Sequence, residues 1–213
     1  ASAIFSRAMH QAATLQADTL ACERGGRLLF KALEFTLAPG TLLRVSGPNG
    51  SGKTSLLRIL CGLARPAAGR VLWSGENAHA LGEEYTGRLA YFGHLSAIKE
   101  DLTPRENLRF ALRLSGLAPS AAALGEALAR LGLAGREDVP ARYLSQGQKR
   151  RAALARLALS QAVPLWILDE PLAALDTDAI ETVVALVTAH LDAGGMTVLT
   201  THQEVAFASA SIL

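Results

Sequence analysis

"TLLRVSGPNGSGKTSLLRILCGL", residues 41–63, decides the fold. Residues 41–46 are a short apolar run that ends in glycines, which predicts a buried strand. Residues 55–63 carry apolar side chains at helical spacing and stop near Gly62. Between them, "GPNGSGKT" (47–54) satisfies GxxxxGK[ST] in the strand–loop–helix context that the pattern needs. Gly47, Gly50 and Gly52 let backbone N–H groups curl around an anion without Cβ clashes. The helix starting near Lys53 turns its positive end to the same point. Lys53 is placed to reach the β- and γ-phosphates of a nucleotide, and the Thr54 hydroxyl to ligate Mg²⁺. Pro48, Asn49, Ser51 and Ser55 complete the expected nucleotide-binding set.

A second stretch, "LWILDEP" (165–171), reads as a buried strand ending in two acids. The C-terminal edge of such strands is where α/β sheets bind ligands. Asp169 suits the Mg²⁺ shell, and Glu170 is placed to orient or deprotonate an attacking water. Two acids after a strand also fit a solvated turn; the phosphate loop about 115 residues upstream favours the catalytic reading. "LAALD" (172–176) follows, and Asp176 has a plain alternative as a helix cap. "TTHQ" (200–203) puts His202 at a strand end. A lone histidine there is either structural or a hydrogen-bond sensor beside a γ-phosphate.

"YLSQGQKRR" (143–151) poses a problem of charge. Ser145 and Gln148 match a capping box. Lys149, Arg150 and Arg151 then fall in the first helical turn, where the helix dipole disfavours cations. A phosphate there would relieve the charge and accept hydrogen bonds from Ser145 and the Gly147 N–H.

The remaining pattern sets the class. The chain has 213 residues, is 50% apolar, and nearly balances 21 basic against 19 acidic residues. That excludes disorder and general affinity for nucleic acid. Cys22 and Cys61 lack CxxC spacing and read as buried, reduced thiols. No apolar run approaches the ~18 residues needed to span a bilayer. Residues 1–13 read as a tail without a signal-peptide pattern. "TLQADTLACE" (14–23) reads as an edge strand, with further strands at 28–37, 70–75 and 88–93. Helices are expected at 103–116, 121–133 and 145–161, then a strand at 163–171, a helix at 177–195 and a strand at 196–203. Strands alternate with helices at both ends, around a helical block. An α/β domain with a parallel sheet and a helical insertion follows.

In this order the motifs resemble the nucleotide-binding subunits of ABC transporters, over about 14–213. "LSQGQ" (144–148) is similar to that family's signature, with Gln146 in place of its first glycine; "LAALD" resembles the D-loop, and His202 the switch histidine. The resemblance implies a P-loop NTPase with a RecA-like core (14–93 and 161–213), an antiparallel β edge subdomain and a helical subdomain at about 94–160. It implies Mg²⁺-dependent ATP hydrolysis by a head-to-tail homodimer. Each ATP would lie between the phosphate loop of one copy and Ser145, Gln146, Gly147 and Gln148 of the other, with Asp176 at the same junction. The signature thus reads as half a site.

"TLACERGGRLLF", "LARPAAGRVLW", "GHLSAIKEDLTPRENLRF" and "LTTHQ" are similar to the ATPase subunits of the bacterial haem exporter of cytochrome c maturation. That implies integral membrane partners, no nucleic acid, and a peripheral place on the cytoplasmic face of the inner membrane. Two departures stand out. The family's Gln after the "YFG" strand is missing, with His94 or Leu95 in its place, and Arg24 falls where an aromatic stacks on adenine. A soluble DNA-repair ATPase would need a long coiled-coil insertion, and only about 90 residues separate the phosphate loop from the signature. A weakly hydrolysing regulatory ATPase is favoured by the missing Gln and opposed by Lys53, Asp169, Glu170 and His202.

Overall fold

Leu165–Asp169, five consecutive buried residues, form an interior strand of a parallel sheet. The computed structural model describes residues 13–94, 97–205, 207 and 210–213. Nearly all of the tail expected over 1–13, and Leu95, lie outside them. In chain order the strands are β1 (Leu15–Arg24), β2 (Arg27–Leu37), β3 (Leu42–Val45), β4 (Ala68–Trp73), β5 (Glu76–Asn77), β6 (Leu89–Phe92), β7 (Leu165–Asp169), β8 (Met196–Thr200) and β9 (Ala210–Ile212). The helices are α1 (Lys53–Leu60), α2 (Ala78–Leu81), α3 (Glu83–Thr86), α4 (Pro104–Leu114), α5 (Ala121–Arg130), α6 (Gln146–Leu154) and α7 (Thr177–Asp192).

One sheet runs β6-β7-β8-β3-β9, every pairing parallel. Parallel strands need crossovers, and helices then cover both faces. The alternation along β7 sorts the core accordingly. Trp166 and Leu168 pack with Leu108, Leu128, Leu154 and Val183 of the helical side. Leu165 and Ile167 pack with Leu57 and Leu60 of α1 and with Val71 and Trp73 of the second sheet. Trp166 also stacks on His190, with ring centroids 4.0 Å apart.

The second sheet is antiparallel in the order β2-β1-β4-β5. The stretch at 14–23, expected at an edge, is bonded on both sides, and β2 takes the edge. Alternating polarity reports which face a side chain occupies, not whether both backbone edges find partners.

The helical layer begins where its caps predict. Thr103 and Glu106 form a reciprocal capping box with Pro104 in the first turn, and Ser120 caps α5. The single helix expected over 145–161 ends as α-helix at Leu154 and tightens into a 3₁₀ turn, Ala155–Leu159. The four-residue α2 and α3 were too short to leave a periodic signal. Cys22 and Cys61 are free and buried, as expected.

Candidate nucleotide site

At the C-terminal edge of the parallel sheet lies a cavity of about 550 Å³. Asn49, Gly50, Gly52, Lys53, Thr54 and Ser55 form one wall, Asp169, Glu170 and His202 the opposite one, and Arg24, Leu29 and His94 also line it. Gly47, Pro48 and Ser51 turn toward an adjoining apolar cavity instead. The loop is made by glycine. Gly47 sits at φ 148°, and a Cβ there would lie 2.9 Å from Ser51 Oγ. Gly52, at φ 103°, passes so close to β2 that a Cβ would lie 3.1 Å from Leu29 Cβ. Bulkier residues would open the curl. Lys53 Nζ donates to the Gly47 and Pro48 carbonyls at 2.7 and 3.2 Å, so its charge sits at the mouth of the loop.

The acidic wall is ordered by hydroxyls. Asp169 Oδ2 accepts from Thr54 Oγ1 at 2.9 Å, and Oδ1 accepts from Thr200 Oγ1 at 2.8 Å. Thr200, fully buried, also accepts from the Glu170 N–H at 2.9 Å. Glu170 adopts φ 51°, a left-handed conformation that costs a non-glycine residue roughly 1 kcal/mol or more. Its Oε1 lies 3.4 Å from His202 Nε2, and its Oε2 accepts from the His202 N–H at 3.3 Å. Among the described residues no group of three or more His, Cys, Asp or Glu could hold a metal. The Thr54 and Asp169 oxygens suit an ion that takes its remaining ligands from phosphate and water, as Mg²⁺ does.

The signature residues are not in this cavity. Ser145 caps α6 as expected: its Oγ accepts from the Gln148 N–H at 3.2 Å, and its own N–H donates to Gln148 Oε1 at 2.9 Å. Ser145 and Gln146 are exposed. Gly147 approaches the D-loop, where an added Cβ would lie 3.2 Å from the Ala174 carbonyl oxygen. Asp176 caps α7 through the Ala179 N–H at 3.1 Å and does not line the cavity.

The cations in the first turn of α6 are not left facing the helix dipole alone, contrary to expectation. Lys149 Nζ bonds Glu100 at 2.6 Å and holds that carboxyl below its ordinary range. Arg151 lies 3.6 Å from Asp176. Arg150 turns inward to the carbonyls of His94 and Glu170. Two of the three cations therefore face carboxylates within the chain and the third is hydrogen-bonded to carbonyls, so their position alone does not call for an outside phosphate. Long side chains leave the helix axis, which a count along the sequence cannot register.

Two contributors escaped sequence reasoning. Thr200 was hidden in an apolar strand, although a threonine pair at a strand's end is a usable signal. Arg150 was read only as a helix charge. Burial lowers its guanidinium, opposed by the fields of Asp169 and Glu170. Arg156 is likewise pulled down by burial, to about 10.

The sequence profile of the ABC transporter family matches residues 30–173. The chain belongs to that family and is an ATP-binding, ATP-hydrolysing transporter subunit. It is 52% identical over 199 residues to the cytochrome c biogenesis ATP-binding export protein CcmA of Nitrosospira multiformis, covering 93% of this chain and 96% of that one. It is 49% identical over 191 residues to the protein of the same name from Haemophilus influenzae, covering 90% of each. Among solved structures it resembles an ATP-binding cassette captured as a dimer in a post-hydrolysis state with ADP and phosphate. There the TM-score is 0.77 at 25% identity, covering 89% of this chain and 88% of that one.

Proposed function

We propose that this chain powers a cytochrome c biogenesis export complex of the haem-exporter type, as two copies docked on integral membrane subunits at the cytoplasmic face of the inner membrane. The observation that carries the dimer is the separation of the two phosphate-directed motifs. The cavity is lined by Asn49, Gly50, Gly52, Lys53 and Thr54 of the loop and by Asp169, Glu170 and His202, while Ser145 and Gln146 lie exposed outside it. A second copy's signature helix would complete the site. The relatives' printed names support the export role, and no helix among the described residues is long and apolar enough to cross a membrane.

In this reading the Gly47–Ser55 stretch would bind the phosphates, and Thr54 with Asp169 would hold Mg²⁺. Bound there, the ion would neutralise phosphate charge and orient the terminal phosphoryl group. Glu170 accepts a proton from the attacking water, and His202 holds the carboxylate through its ring nitrogen and its N–H. ATP binds the closed pair more tightly than the open one, and that difference is what drives closure. Arg24 and Leu29 would meet the base, with the guanidinium plane replacing an aromatic stack.

Affinity capture of the tagged chain from membranes, with identification of the co-purifying subunits, tests the reading. Recovery of integral membrane proteins of a cytochrome c maturation system supports it, and capture of a transporter for another cargo overturns the haem-export part. Steady-state phosphate release separates a working ATPase from a regulatory one.

A further inference from the structure

The exposed corner at Ser145–Gln146 opens a helix that sends one cation inward. Arg150 is 7% exposed. Its Nη1 donates to the His94 carbonyl at 2.8 Å, and its Nη2 donates to the Glu170 carbonyl. The Phe92 ring lies against the guanidinium, with Cζ 4.9 Å from the ring centroid. These contacts join three segments separated by 56 and 20 residues in sequence: the signature helix, the turn after β6 that lines the cavity, and the acid at the end of β7.

Glu170 needs such support. Its left-handed backbone is one that L side chains adopt only when their surroundings dictate it. The peptide plane before it is fixed by Thr200 Oγ1 on the Glu170 N–H. The plane after it is fixed by Arg150 on the Glu170 carbonyl. Together the two planes set the Cα–Cβ direction, and so aim the carboxylate at His202, 3.4 Å away. The first clamp belongs to the sheet. The second belongs to α6, whose N-terminus is the exposed signature.

We infer that Arg150 is a positioning residue for hydrolysis, through which the seat of the signature helix sets the aim of the Glu170 carboxylate. The inference rests on the reading of Glu170 as the base. A signature helix that is displaced takes one clamp with it, and the carboxylate loses its aim. A signature helix seated against a partner copy's nucleotide restores both. The guanidinium fork is suited to this, because its two nitrogens reach two carbonyls at once. A lysine ammonium in the same place is a point charge that serves one.

The test measures kcat and MgATP affinity on the full chain for Arg150→Lys and Arg150→Met, each alone and combined with Glu170→Gln. Arg150→Lys retains the charge and Arg150→Met the packing on Phe92, so at least one fold is preserved. Misplacing a catalytic group by about 1 Å costs up to ~100-fold, so kcat is expected to fall by about tenfold or more. The Kd for MgATP is expected to stay within about twofold of the parent, and in the Glu170→Gln background the Arg150 change should cost nothing further. Unchanged kcat, a parallel loss of affinity, or losses that multiply with Glu170→Gln overturn the role. Full turnover by Glu170→Gln alone would remove the base reading instead, and the positioning role with it.

Discussion

Thr54 and Asp169 stand 115 residues apart in the chain and 2.9 Å apart in the fold. One ends the phosphate-binding motif in the first turn of α1, the other ends β7, and the bond joins the two walls of the cavity. Asp169→Asn replaces one acceptor oxygen with an NH₂ group facing a hydroxyl donor. We expect phosphate release to fall by about 100-fold or more, in line with the loss of a metal-directed charge. A magnesium titration of the rate checks it, and chelation with EDTA should abolish turnover in the parent.

Glu170→Gln keeps the size of the side chain and removes its basicity. In the presence of saturating ATP the variant is expected to sediment as a dimer, with turnover cut to a small, still measurable residual. A variant that stays monomeric under those conditions contradicts the composite-site arrangement.

Gly147→Asp adds a carboxylate at the signature, where even a Cβ approaches the Ala174 carbonyl oxygen to 3.2 Å. Nucleotide binding by the monomer is expected to survive, because Gly147 does not line the cavity. Hydrolysis is expected to vanish. Fluorescent nucleotide titration and phosphate release together read the split, and loss of monomer binding would reduce the stretch to a helix cap.

Acid should loosen the helical layer first. Arg105 donates to both oxygens of Asp138, at 2.8 and 3.0 Å, and holds that carboxyl below its ordinary range. Hydrogen bonds from Thr103 lower Glu106 in the same way. A depressed carboxyl stabilises the fold above its unfolded value, near ~4 for Asp and Glu, and loses that contribution as pH falls through the folded value. Tm is expected to drop between about pH 5 and 3. Asp138→Asn should show a smaller drop over the same window, read by thermal melts at matched ionic strength.

Gly195→Ala probes the buried stack of Trp166 on His190. An added Cβ would lie 2.2 Å from His190 Cε1. The ring, sandwiched against Trp166 at 4.0 Å, has little room to yield. Overpacking of this kind costs about 1–3 kcal/mol, visible as a lower urea midpoint with an unchanged slope.

Much of this site was legible because its signals are local. The glycines, Lys53 and Thr54 lie within one turn and one helix start, and the Asp169–Glu170 pair ends an apolar run. What sequence could not supply was the far end of long side chains. Arg150, placed on a helix by its neighbours, finds its partners 56 and 20 residues away. Thr200 looked like one more strand residue until the register set it opposite Asp169. The edge assignment for β1 failed for the same reason, since the identity of a strand's second neighbour is a tertiary fact.

The left-handed backbone of Glu170 sets stability and turnover against each other at one position. Glycine or asparagine tolerates φ near +50° far better than glutamate does. A population of variants screened for heat resistance alone would therefore be drawn toward those residues and away from the carboxylate. Thermal hardening of this chain, pursued without an activity assay, would select catalytically silent proteins.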